Sequence, residues 1–154
     1  MSDPIALRRA RSGEADALSG IAMRAKAHWG YDDAFMEACR EELSVPPRQI
    51  AAGSVWVAET HDAVLGFVDV RIEAGIAGLY ACFVEPSAIG SGVGRALWGK
   101  AEALAQAAGA MEIGLDSDPF AEGFYLAMGA MRIGEAPSGS IPGRVLPRLM
   151  TRLG

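Results

Sequence analysis

Val84-Glu85-Pro86-Ser87-Ala88-Ile89-Gly90-Ser91-Gly92-Val93-Gly94-Arg95-Ala96-Leu97 joins an apolar strand pattern to an alanine-rich helix pattern through a turn with three glycines. Glycine at 90, 92 and 94 opens backbone conformations closed to other residues and removes side chains that would hold a ligand away. Because the turn runs into a helix, its free amides coincide with the positive end of the helix dipole, a natural seat for a phosphate. Spacing separates the kinds of glycine loop. A nucleotide loop ending in Gly-Lys-Ser/Thr is excluded, since Arg95 and Ala96 follow Gly94. A dinucleotide G-x-G-x-x-G counted from Gly90 puts Arg95 where the third glycine belongs.

The flanking sequence supplies an α/β order with short connections. Residues 5–10 alternate as a short strand, and Ser12 offers a cap to a first helix on which Leu18, Ile21, Ala22 and Ala25 recur at helical spacing. A second helix starts near Asp32 or Asp33, carries Phe35, Cys39 and Leu43 on one stripe, and stops at Pro46-Pro47. Residues 55–59 and 64–71 read as a hairpin turning near His61-Asp62, and residues 76–84 form the strand that feeds the glycine turn. The helix after the turn presents Val93, Leu97, Ala101, Leu104 and Ala108 on one face and ends at Gly109. A buried strand over 111–115 follows. Asp118 and Pro119 then read as the cap and first position of a short helix ended by Gly129. Strands over 131–134 and within 145–153, separated by a loop over 137–143, close the chain.

Composition narrows the function classes. A chain of 154 residues suits one domain spanning 1–154, without repeat or linker. A net charge of −5 argues against a nucleic-acid partner, which would call for a basic face. It tolerates a cationic small molecule. The residues Arg8, Arg9 and Arg11 read as a solvated face. No apolar run approaches the ~20 residues of a membrane span, so no membrane partner is expected. Cys39 and Cys82 make neither a disulfide framework nor a metal-ligand spacing, and His28 and His61 are isolated, so no metal site is expected and a reducing cytoplasm is the simplest location.

A second segment, Asp118-Pro119-Phe120-Ala121-Glu122-Gly123-Phe124-Tyr125-Leu126-Ala127-Met128-Gly129-Ala130, gives the glycine turn its context. Residues 84–97 resemble the pyrophosphate loop of the GCN5-related N-acetyltransferases, Gln/Arg-x-x-Gly-x-Gly/Ala after a strand ending Val-x-Pro. Val84, Pro86, Gly92, Gly94 and Leu97 match; Ile89 stands where Gln or Arg is usual. Residues 118–130 resemble that family's Asn-x-x-Ala-x-x-Phe-Tyr-x-x-x-Gly-Phe. Ala121, Phe124, Tyr125 and Gly129 are in register, with Asp118 for Asn and Ala130 for Phe. The element order is similar to the family's over the whole chain. It implies a mixed, mostly antiparallel sheet flanked by helices, with splayed central strands.

The resemblance implies a function and places it on residues. Acetyl-CoA would be held by Phe83, Val84, Ile89, Gly90, Ser91, Gly92, Val93, Gly94, Arg95, Asp118, Phe124 and Tyr125. A backbone N–H around Phe83 or Val84 would polarise the thioester carbonyl. Tyr125 matches the family acid that protonates the departing thiolate. The strand glutamate that some members use as base falls, about eleven positions before Ile89, on Gly78, so the proton would leave through water to Tyr80, Asp69, Glu73 or His28. Of these, His28 has the best unperturbed pKa, about 6.5. Acceptor recognition would come from the connection carrying His28, Trp29 and Tyr31 and from the loop carrying Ser140 and Arg144, with the bland alternative that the aromatic rings merely staple helices. The expected activity is direct transfer of an acetyl group from acetyl-CoA to the amine of a small molecule. A weakly active acyl-CoA sensor and an acetyltransferase of protein amines are the alternatives, and the edge of the final hairpin permits a homodimer.

Overall fold

The protein is described by a computed structural model covering residues 4–61 and 63–154, so Asp62 of the expected hairpin turn lies outside the described residues. In chain order the elements are β1 (Ala6–Arg9), α1 (Ala15–Ala27), α2 (Asp33–Leu43), α3 (Pro47–Ala52), β2 (Val55–Thr60), β3 (Ala63–Glu73) and β4 (Ile76–Val84). They continue with a 3-10 turn (Pro86–Ala88), α4 (Val93–Ala107), β5 (Glu112–Asp116), α5 (Glu122–Ala127), β6 (Met131–Pro137) and β7 (Val145–Arg152). Among the described residues one seven-stranded sheet runs β1-β2-β3-β4-β5-β7-β6, and only the β4–β5 pair is parallel. No helix among the described residues is long and apolar enough to cross a membrane.

Local chemistry corrects the sequence reading at several element ends. Pro46-Pro47 stops α2 as expected, but Pro47 also opens α3, because a first helical residue needs no donated N–H. The cap of α1 is Glu14, not Ser12. The Glu14 carboxylate accepts the Arg11 N–H at 2.6 Å and pairs with Arg8 at 2.9 Å, and that guanidinium lowers its pKa to about 2. Arg8 also meets Glu59 at 3.1 Å, so it clamps β1 to α1 and β2 instead of lying in a solvated face. On α4, Trp98 and Ala105 are buried and Ala108 is exposed, which turns the apolar stripe from the expected one.

Alternation along the strands divides the core. Val57 and Phe67 face α1, packing with Leu18, Ile21 and Ala22. Ala58, Val68 and Val70 face α4 and pack with Val93, Leu97, Trp98 and Ala101. Each such large side chain contributes roughly 1.5–3 kcal/mol by leaving water. Both layers press on β3, and α4 crosses it at Gly66. A Cβ there would lie 2.6 Å from the Phe83 carbonyl oxygen and 3.1 Å from Leu97 Cδ1.

The sheet opens in its middle. β4 and β5 pair only at Ala77↔Ile113 and Gly78↔Gly114. Two residues further on, the β3–β4 register jumps between Asp69↔Ala81 and Val70↔Leu79, leaving Tyr80 as the extra residue of a bulge. A bulge bends its strand and sharpens its twist. β4 therefore stays with β3 and leaves β5, which stays with β7 along its whole length.

Gly66→Ala should shift β3, β4 or α4, because one of its near neighbours is main chain. We expect a loss of about 1–3 kcal/mol, read as a lower urea midpoint with an unchanged slope.

Candidate active site

Where β4 and β5 part, a cavity of ≈ 150 Å³ opens between residues 79–83 and 115–118. Two larger cavities meet it. One, ≈ 610 Å³, is lined by Ile89, Gly90, Gly92, Gly94, Arg95 and Phe124 and shares Trp29, Cys82, Phe83, Ala121 and Tyr125 with the cleft. The other, ≈ 750 Å³, shares Glu42, Arg71, Tyr80 and Asp116 with the cleft and adds Glu73 and Arg148. The split sheet is thus a passage between two separate compartments.

The glycine turn shapes the first compartment. Gly90 and Gly92 have φ of +83° and +90°, where a side chain would be strained, and the space at their Cα atoms is open. Gly94 has another reason to lack a side chain: a Cβ would lie 3.1 Å from the Phe124 ring. Ala96 N–H makes the first bond of α4, to Gly92 O, leaving the Val93, Gly94 and Arg95 amides without an intrahelical acceptor. The Val93 side chain is buried in the core, so that residue offers only its amide. Ser91 turns its hydroxyl back to Ala88 O. Arg95 is exposed at the rim, with no acidic partner among the described residues.

Strand parity decides which main-chain groups face the cleft. Glu85 N–H donates to Leu65 O at 2.7 Å, so residues 85, 83 and 81 turn their polar groups to β3, and Cys82 and Val84 turn theirs toward β5. Of the two expected carbonyl-polarising donors, Val84 therefore has the right orientation and Phe83 does not. On the other wall Ser117 N–H donates to Pro147 O at 2.9 Å, which by the same alternation turns Asp116 toward β4. Beyond Gly78 no strand among the described residues pairs with these groups.

Tyr125, on α5, reaches the junction of the cleft and the glycine compartment. Its ring is buried edge-on against Trp98 and Phe124, with centroids 5.7 and 5.1 Å away. Its hydroxyl lies beside the Cys82 thiol. Burial first, and then the neighbouring thiol, push the Tyr125 pKa well above its ordinary value, and burial pushes Cys82 up to about 12. Both groups hold their protons at neutral pH.

Asp118 was expected to cap α5 and to face the cofactor; it does not cap the helix, and in the cleft wall its carboxylate is taken up by protein groups. α5 begins three residues past Pro119, with Ala121 at its cap. The Asp118 carboxylate accepts Phe120 N–H at 2.8 Å, Lys26 Nζ at 3.0 Å, Tyr31 OH at 2.9 Å and Arg144 at 3.4 Å. Burial alone would raise its pKa, but the Phe120 amide and Lys26 outweigh burial and hold it below the usual carboxylate range. Arg144 also donates to Tyr31 OH at 2.6 Å, so the two expected acceptor-binding residues spend their polar groups on this network. Burial and Asp118 together raise the Tyr31 phenol to about 12.

The other candidate residues divide. His28 ends α1 on the exposed side and lines none of the three cavities, which removes it as a base in reach of the cleft. Ser140 sits 3.4 Å from Cys39 Sγ and fastens its loop to α2 instead of lining a cavity. Trp29 stacks on Phe120 at 6.0 Å, between the cleft and the glycine compartment. Asp69 is buried in the cleft wall, but Ser54 Oγ at 2.7 Å and Arg71 at 2.9 Å occupy its oxygens. Tyr80 is 64% exposed, its ring under the Arg71 guanidinium at 4.0 Å. The sequence reading missed Lys26, Glu42 and Cys82, whose partners or cavities only the fold brings near.

A scan of family models matches residues 23–130 to the Acetyltransferase (GNAT) family. The chain belongs to that family. No curated protein matches its sequence. Among solved structures, a GCN5-related N-acetyltransferase from Rhodopseudomonas palustris is 23% identical with a TM-score of 0.80, covering 99% of this chain and 98% of its own. The PaiA N-acetyltransferase of Thermoplasma acidophilum, solved with coenzyme A, is 17% identical with a TM-score of 0.76 over 97% and 99%. The ribosomal-protein-S18-alanine N-acetyltransferase of Escherichia coli is 15% identical with a TM-score of 0.71 over 98% and 95%. These likenesses carry the fold.

Acetyltransferases of the GNAT family use acetyl-CoA, and the residues here fit that donor. The open glycine turn, the free α4 amides and Arg95 suit a pyrophosphate, and the unpaired groups of Cys82, Val84 and Asp116 suit an extended amide-bearing arm.

Asp118→Asn would restore the residue usual in the family but leave Lys26 and Arg144 without their carboxylate. A loss of about 1–3 kcal/mol is expected at pH 7. Because the folded-state pKa is lowered, this stabilisation is present above the unfolded value of about 3.9 and is lost as pH falls through the lower folded value. Thermal melts of both proteins should therefore converge in acid; a pH-independent gap would contradict the assignment.

Proposed function

We propose that this acetyltransferase moves an acetyl group from acetyl-CoA directly to the primary amine of a small molecule held in the same complex. The observation that carries this reading is the continuity of the three cavities. The glycine compartment and the compartment of Glu42 and Glu73 reach the β4–β5 cleft from different sides, so two ligands would meet there without a covalent stop on the protein. A small acceptor is favoured because α2 and the loop through Pro137 and Gly139 wall the second compartment.

Acetyl-CoA supplies the activated thioester; the chain supplies binding, orientation and protons. Amides of Val93, Gly94 and Arg95 hold the phosphates with the positive end of α4 behind them. Main-chain groups of Cys82, Val84 and Asp116 align the arm as a strand would, and the Val84 N–H stabilises negative charge growing on the carbonyl oxygen. The amine nitrogen bonds to the carbonyl carbon as the carbon–sulfur bond breaks. Tyr125 gives its hydroxyl proton to the sulfur, and the proton lost by the nitrogen returns to Tyr125 through solvent. Its raised pKa suits an acid that must be protonated before each turnover.

Tyr125→Phe should lower kcat by about 10²–10⁴-fold in a free-thiol assay while the KM for acetyl-CoA changes little. Since burial holds the phenol protonated, wild-type kcat should show no loss attributable to Tyr125 between about pH 7 and 10. Equal kcat in the two proteins would assign the acid elsewhere.

A further inference from the structure

The second compartment has an unbalanced charge inventory. The guanidiniums among its lining residues are already matched. Arg71 pairs with Asp69 at 2.9 Å and lies flat on Tyr80, and Arg148 pairs with Asp116 at 3.1 Å. Two carboxylates are left over. Glu42, in the last turn of α2, and Glu73, at the end of β3, have no hydrogen-bond or ion-pair partner among the described residues. Both are exposed and they differ in place: Glu42 lines both the cleft and the outer compartment, and Glu73 lines only the outer one.

We propose that the acceptor is a di- or polycationic amine, with Glu42 holding the ammonium group that, once it has given one proton to solvent, is acetylated, and Glu73 holding a second cationic centre. This rests on the transferase reading above and names its substrate class. A volume of ≈ 750 Å³ has room for a chain longer than a simple monoamine, and pockets for small ligands are commonly about 300–1,000 Å³. An acceptor bearing a carboxylate or phosphate would meet guanidiniums already neutralised and two uncompensated acidic groups. That like-charge juxtaposition selects against it. The commitment of Asp69, Asp116 and Asp118 to internal partners leaves Glu42 as the one carboxylate lining the cleft, among the described residues, free to contact a ligand cation. The same carboxylates raise the local concentration of cations and so favour their approach at low salt.

Thiol release from acetyl-CoA should be compared with 1,4-diaminobutane, butylamine and glutamate as acceptors, beside calorimetric binding of 1,4-diaminobutane to the protein–CoA complex. The expected result is a kcat/KM for the diamine at least tenfold above that for butylamine, negligible turnover of glutamate, and a preference that shrinks as salt rises. Glu42→Gln and Glu73→Gln should each raise the diamine KM roughly fivefold, the upper range for an accessible ion pair, with the acetyl-CoA KM unchanged. Melting temperatures within a degree or two of wild type would show that both variants fold. Faster turnover of glutamate or butylamine would overturn the inference and leave the transferase reading intact. Absence of diamine binding in the calorimeter would overturn it whatever the turnover. Diamine binding that weakens in both variants, with no thiol release for any acceptor, would uphold the cation site and overturn the transferase reading instead.

Discussion

The arrangement depends on one failure of pairing. Parallel strands β4 and β5 exchange partners at two positions and then diverge, because the Tyr80 bulge bends β4 while its ladder with β3 continues. In a closed sheet the polar groups of Cys82, Val84 and Asp116 would satisfy one another. Here they are left facing a gap, and an unpaired buried main-chain group costs on the order of 1–3 kcal/mol. The fold holds the gap open by anchoring each strand on its far side, β4 to β3 under α4 and β5 to β7.

A second constraint builds the wall beside the gap. Lys26, Tyr31, Asp118 and Arg144 come from α1, the connection after it, the segment before α5 and the loop before β7. Their mutual bonds bring those four segments together around one carboxylate with 8% of its side chain exposed. Removing a single partner from such a cluster costs more than the cluster contributes, since the charges left behind remain partly buried. Tyr31 and Arg144 thus shape the site from behind it.

What could be read from the sequence was local. The glycine turn, β4 and the Gly109 and Gly129 helix stops follow from φ requirements and period-two or helical patterns carried within a few residues, and they appear where those rules place them. The errors came from competition at a distance. Asp118 was a sound cap by its neighbours, but Lys26, 92 residues away in the chain, holds its carboxylate. Arg144 read as an acceptor-binding group for the same reason: its partners Tyr31 and Asp118 lie far from it in the chain. The roles of Phe83 and Val84 differ only by parity in the ladder, which a sequence cannot fix without the partner strand. Glu42 carries no local mark at all; its significance comes from the two compartments that α2 happens to border.

The polar groups that the cleft and the glycine turn present to acetyl-CoA belong to the main chain, except for Arg95 and Tyr125. An amide N–H is the same donor whichever side chain its residue carries. Selection on such a surface acts on the path of the backbone, and the alphabet above it is free to drift as long as the path survives. Ile89 stands in place of the usual Gln or Arg while its N–H stays on Pro86 O at 3.3 Å, inside the turn that sets that path. Shared architecture at identities of 15–23% then has a physical basis: heredity is stored here in torsion angles more than in letters.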